Sequence, residues 1–181
     1  TLGQVEAAAG GDEALALVVK DTKEGGGGPN HPAYFAEPAS ASAYARATGK
    51  RVPTVEQWVQ AAFGGAGPGE RPFPWGKEPP DSTRAFASAT AQAPEPVGFR
   101  PAGAAACGAE DMAGNLCEWV LKDGKPWVIG GHYLLGEEKL SGVGGLSTVR
   151  EPMPLITLFR EMPDQQQTYY AKFKFDPGEF F

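Results

Sequence analysis

Asp111-Met112-Ala113-Gly114-Asn115-Leu116-Cys117-Glu118-Trp119-Val120 is the stretch on which the reading of this chain turns. Its second half, Leu116 to Leu121, reads as a short strand. The turn Lys122-Asp123-Gly124-Lys125 follows, and Trp127 to Ile129 reads as the returning strand. An Asp-Gly pair between two apolar runs is a strong hairpin signal, because both residues tolerate the left-handed backbone that a tight turn needs. By their chemistry alone, Asn115 suits a turn cap and Glu118 an ion-pair partner.

Upstream, Thr54-Val55-Glu56-Gln57 pairs a Thr N-cap with a Gln three residues on, the reciprocal capping pattern. Val55, Trp58, Val59 and Ala62 then share one helical face, and the helix stops at Phe63-Gly64-Gly65. Pro38 to Thr48 reads as another helix, with proline at its first position and Gly49 at its end. Leu15 to Lys20 (LALVVK) reads as a short strand, from its β-branched end and charged flanks. Residues 64 to 110 form a long irregular stretch, and Thr168 to Phe175 (TYYAKFKF) alternates as a final strand.

The chain has 181 residues, 41% of them hydrophobic and 21% charged, which fits one domain with a sizeable core. Its 25 Gly and 17 Pro approach the composition of disordered chains, but 4 Trp, 5 Tyr and 10 Phe argue for a folded, loop-rich domain. A net charge of −6 with no Lys/Arg run argues against nucleic acid as a partner. No apolar stretch reaches about 18 residues, so no membrane span is expected. No charged leader with an apolar run is visible at Thr1. Cys107 and Cys117 are expected as buried free thiols, with one disulfide between them as the alternative in an exported chain, and with His31 and His132 they match no zinc spacing.

Taken together the motifs resemble those of the formylglycine-generating enzyme (sulfatase-modifying factor) family. Lys50-Arg51-Val52-Pro53-Thr54-Val55-Glu56-Gln57-Trp58, then Ala61-Ala62-Phe63-Gly64-Gly65, resembles its "K-R-L-P-T-E-A-E-W…A-A-R-G-G". Pro74-Trp75-Gly76, Pro96-Val97-Gly98-Phe99 and residues 111–120 ("D-M-A-G-N-V-W-E-W-V") follow in the family's order, and Gly130-Gly131-His132 stands at its "R-G-G-S-W". The resemblance implies an α+β, C-type-lectin-like fold: two helices, a small twisted antiparallel sheet and extensive irregular loops. It also implies one domain over residues 1–181, expected as the C-terminal part of a longer chain, with Trp58, Trp75, Trp119 and Trp127 as core pillars.

The family's oxidases use a cysteine pair after "R-G-G-S-W" to bind copper; residues 132–170 contain none. The related sulfoxide synthases of thiohistidine biosynthesis use iron held by three histidines, and this chain has two. In the family, the Asn and Glu of "G-N-x-x-E" supply oxygens to Ca²⁺, which makes Asn115 and Glu118 the candidate metal residues, while Phe86 stands at the family's other calcium-associated Asn. No nucleophile elbow or phosphate loop is present, and the adjacent pair Glu110-Asp111 reads as a solvated face.

With the catalytic cysteines missing, the expectation is a non-catalytic protein, a pseudoenzyme that displays a C-terminal loop surface to a protein ligand. The resemblance extends to the variable proteins of diversity-generating retroelements, which share the lectin-like fold. The expected ligand-binding residues are His132, Tyr133, Leu134, Leu135, Leu140, Val143, Leu146, Leu155 and Leu158, apolar or amphipathic groups among glycines and polar residues. An accessory domain of a larger assembly is the alternative, and an enzyme with altered, metal-dependent chemistry a third.

Overall fold

A computed structural model describes residues 1–34, 37–67, 70–88, 91 and 93–135. Among these there are four α-helices, α1 (Leu2–Ala8), α2 (Glu13–Glu24), α3 (Pro38–Ala47) and α4 (Val55–Phe63), and one antiparallel pair, β1 (Glu118–Lys122) with β2 (Lys125–Ile129). Helices beside a small antiparallel sheet and long loops make an α+β chain. The expected strand over Thr168–Phe175, and the candidates Leu140, Val143, Leu146, Leu155 and Leu158, lie outside the described residues.

Two helices were expected and four are found. The segment Leu15–Lys20 is not a strand but the middle of α2. Its residues Leu15, Val18, Val19 and Thr22 are buried at spacings of three and four, the period of a helix. Asp12 caps the helix, its Oδ1 accepting from the Leu15 amide at 3.1 Å. This local contact outweighs the weak strand preference of two adjacent valines. α1 starts with a capping box of its own, Thr1 with Gln4. Leu2, Val5, Leu15, Val18, Val19 and Ala43 form one apolar cluster that joins α1, α2 and α3.

α4 forms as its sequence requires. Thr54 Oγ1 accepts from the Gln57 amide at 3.3 Å, and the Thr54 amide donates to Gln57 Oε1 at 3.0 Å. Trp58, Ala62 and Phe63 are buried, with Val55 and Val59 partly covered beside them. This face packs with Met112, Ala113, Val120 and Ile129 into the second and larger cluster. Trp75 and Trp127 lie partly buried against it, and Trp119 against a third cluster, so only Trp58 of the four tryptophans is fully inside.

The hairpin pairs Glu118 with Ile129, Val120 with Trp127 and Lys122 with Lys125. Asp123 and Gly124 both take positive φ (52° and 76°), the geometry of a two-residue turn matched to strand twist. A lone hairpin is marginal in water. Here the Leu121 amide also donates to the Pro53 carbonyl at 2.9 Å, which ties β1 to the entry of α4.

Candidate ligand-binding cavity

The 111–120 segment is locked before it reaches β1. Gly114 takes φ +79°, and a Cβ there would lie 2.7 Å from the Phe86 carbonyl oxygen, so only glycine fits. Asn115 also takes positive φ, 54°. Its amide N–H donates to Phe86 O at 2.8 Å, and its carbonyl accepts from the Tyr133 amide at 2.9 Å. Its side chain pairs with the backbone of one residue: Oδ1 accepts from the Glu95 amide at 3.1 Å and Nδ2 donates to the Glu95 carbonyl at 3.2 Å. One buried asparagine therefore fastens three loops to the start of the hairpin.

This junction forms one wall of a cavity of about 620 Å³, within the range of small-molecule sites. The opposite wall comes from α1–α3 and the segment Thr48–Pro53. Val5, Leu15, Val18, Tyr44 and Val128 line it with apolar surface, and Asp111, Glu118, His132, Lys50 and Arg51 contribute polar groups.

The Asp111 carboxylate accepts from the Gly98 amide at 2.8 Å, while burial, the largest effect, raises its pKa above the ordinary carboxylate range. Glu118 Oε2 accepts a short hydrogen bond from Trp58 Nε1. Glu118 keeps accessible surface where it faces the cavity, yet protein atoms crowd it, and burial pushes its carboxyl up to about 7. The Asp111 charge adds to that rise and the Trp58 bond opposes it.

His132 was expected at an exposed surface. It is instead 3% exposed, with Nδ1 accepting from the Leu134 amide at 3.3 Å. That bond places the ring proton on Nε2, and burial pushes the pKa down to about 3, so His132 is neutral at physiological pH. Nε2 has no partner among the described residues, and the ring lines the cavity. Tyr133 and Leu134, expected as exposed binding groups, are each 4% exposed. The Tyr133 ring stacks on Phe86 at 5.8 Å and on His132 at 4.5 Å, and Leu134 packs in the cluster with Val128. The two glycines before His132 turn the chain inward at the end of β2. Leu135 ends the short 3-10 turn Tyr133–Leu135.

Asn115 and Glu118, the expected calcium residues, are thus bonded to Glu95 and Trp58. Among the described residues no group of three His, Cys, Asp or Glu is placed to hold a metal. Cys107 is exposed rather than buried, its Sγ donating to the Ala61 carbonyl at 3.0 Å. Cys117 is free, lines the cavity, and is held as a neutral thiol because burial pushes it up to about 12. Sequence reasoning set aside Asp111 as part of a solvated acidic pair and gave Lys50-Arg51 no role. Only the packing brings them to one cavity.

The chain is thus a loop-rich α+β domain with a largely apolar cavity beside its hairpin, into which a few polar groups project. The model of the sulfatase-modifying factor enzyme 1-like domain matches residues 13–162, and the chain belongs to that family. Over 98 residues, 54% of this chain, it is 43% identical to a hercynine oxygenase of Mycobacterium tuberculosis, covering 22% of that protein. Over 100 residues, 55% of this chain, it is 40% identical to a hercynine oxygenase of Mycolicibacterium thermoresistibile, again covering 22%. The enzyme of the same name from Mycolicibacterium smegmatis is 42% identical over 88 residues, 48% of this chain and 21% of that protein. The chain spans about a fifth of the length of these curated relatives.

These relatives overturn two expectations, that the chain is a non-catalytic display protein and that it is not an enzyme. Missing copper cysteines argue against one oxidase chemistry within the family. They say nothing about members that activate oxygen by other means. No helix among the described residues is long and apolar enough to cross a membrane.

Proposed function

We propose that this chain is the substrate-binding portion of an oxygenase acting on hercynine or a similar histidine betaine, built on a C-type-lectin-like arrangement of the helices and hairpin described above. The carrying observation is the 40–43% identity to three proteins of that name. The cavity beside the 111–120 segment supports it, being of a size for one such molecule.

Oxygen activation needs a metal or an organic cofactor, and the described residues do not fit an iron centre. The chain has two histidines. His132 presents a protonated Nε2 to the cavity and uses Nδ1 as an acceptor, while His31 Nδ1 accepts from the Gly28 amide at 3.1 Å. A metal would require an unprotonated nitrogen, and no third donor gathers near either ring. The part assigned to this chain is therefore to bind and orient the substrate and to exclude water around it, through the apolar faces of α1–α3. No redox step is assigned to its residues.

The test is oxygen uptake by the purified protein with hercynine present and absent, followed by mass analysis of the product after ¹⁸O₂ labelling. Hercynine-dependent uptake with label in the product supports the reading. The absence of both oxygen uptake and calorimetric binding of hercynine would rule it out.

A further inference from the structure

The cavity is charged in an unusual sense. Its buried side carries two carboxylates, Asp111 and Glu118, and neither has a cationic side-chain partner among the described residues. Arg100, outside the lining, is held by Glu95 through two bonds of 2.8 and 2.7 Å. Crowded carboxylates without a cation are unfavourable, and proteins ordinarily pair or neutralise them. Lys50 and Arg51 line the same cavity from exposed positions and also lack an ion-pair partner among the described residues. Glu110, exposed, also lines the cavity beside Asp111, so one wall is acidic and the two cations stand on the Thr48–Pro53 side.

His132 supplies an independent sign of a ligand. It is 97% buried by its 3% exposure, lines the cavity, and offers Nε2–H with no acceptor among the described residues. A donor that faces a cavity without a protein acceptor is ordinarily met by water or by a ligand acceptor. Trp119 and Tyr44 add aromatic surface to the lining, which suits an alkylated ammonium better than a strongly hydrated metal ion.

We propose that the cavity binds a small zwitterion, its cationic group against Asp111 and Glu118, its carboxylate toward Lys50 and Arg51, and an acceptor atom of its body on His132 Nε2–H. This deepens the function proposed above and rests on it for the choice of hercynine as first probe. The carboxylate pair fixes the cationic end, the basic pair fixes the direction of entry, and the neutral histidine reads the part between. Cys117, also in the lining, stays a neutral thiol and takes no charge-bearing part.

Calorimetric titration of the protein with three probes tests this: hercynine, its methyl ester (which lacks the carboxylate charge) and glycine betaine. Lys50→Gln/Arg51→Gln, two changes at exposed positions checked for folding by circular dichroism, is expected to weaken hercynine at least fivefold and the ester less than twofold. Glu118→Gln and Asp111→Asn, checked for folding by circular dichroism, are each expected to weaken both probes tenfold or more. Hercynine binding that the Lys50/Arg51 double variant leaves unchanged overturns the zwitterion site while leaving the proposed function standing. Glycine betaine binding that responds to the variants as predicted, without hercynine binding or hercynine-dependent oxygen uptake, keeps the site and removes the proposed function. If none of the three probes binds, the site itself is refuted.

Discussion

Asn115 and Gly114 illustrate how much one residue does here. The Asn115 side chain holds the Glu95 backbone N–H and C=O by one accepted and one donated bond, and both are part-buried. Asn115→Ala is expected to cost roughly 2–3 kcal/mol in chemical denaturation, since it leaves a peptide N–H and C=O without partners. Gly114→Ala is expected to cost at least that, from the clash with Phe86 O and the positive φ together. A Gly114→Ala protein as stable as the parent would mean that the Phe86 loop yields.

Two groups in the cavity titrate in opposite senses. His132 is neutral in the folded chain down to about 3, against about 6.5 when unfolded, so its contribution to stability is lost as pH falls from 6.5 toward 3. Glu118 is raised from 4.5 to about 7, so its contribution is present below 4.5 and lost as pH rises through 7. Melting temperatures across pH 4–8 should therefore show His132→Gln flattening the acid side and Glu118→Gln flattening the neutral side. For calcium, the Asn115 oxygen already accepts from Glu95 and Glu118 from Trp58. Saturating Ca²⁺ is expected to leave the melting temperature unchanged, and a clear rise would restore Asn115 and Glu118 as ligands.

At the scale of elements, α4 and the hairpin act as one unit. Trp58 belongs to the helix yet its indole N–H bonds Glu118 at the start of β1, so the core tryptophan also sets the charge state of a cavity wall. Trp58→Phe removes a bond that favours the ionised carboxylate, and the Glu118 pKa should rise further. A downward shift in a carboxyl-carbon NMR titration would show that the bond plays no such part. Thr54→Ala should cost about 1 kcal/mol by breaking the capping box. α4 was legible because its cap, its apolar face and its terminal glycine all lie within a dozen residues. α2 reads as a strand for a related reason: the six residues Leu15–Lys20 show the valine pair, whereas the helical period of Leu15, Val18, Val19 and Thr22 and the Asp12 cap span eleven.

At the scale of the molecule, the cavity joins elements that are distant in sequence: α1–α3, residues 48–53, the 110–119 segment and His132. Glu118 is poised between its two charge states near neutral pH, so a bound cation would favour the ionised form. Hercynine binding at pH 7 is therefore expected to release a fraction of a proton. Calorimetry in buffers of different ionisation enthalpy measures this, and proton uptake would place the cation elsewhere.

What is settled over short spans was legible in the chain alone: the proline start and glycine stop of α3, the capping box of α4 and the Asp-Gly hairpin. Each depends on bonds between near neighbours or on a backbone angle that few residues accept. The tertiary structure decided which way side chains face across long separations. It turned His132 and Tyr133 inward, made Asp111 part of a wall, and set Lys50 and Arg51 at the exposed side of the same space. Burial and electrostatic coupling depend on that three-dimensional proximity, which local pattern does not carry.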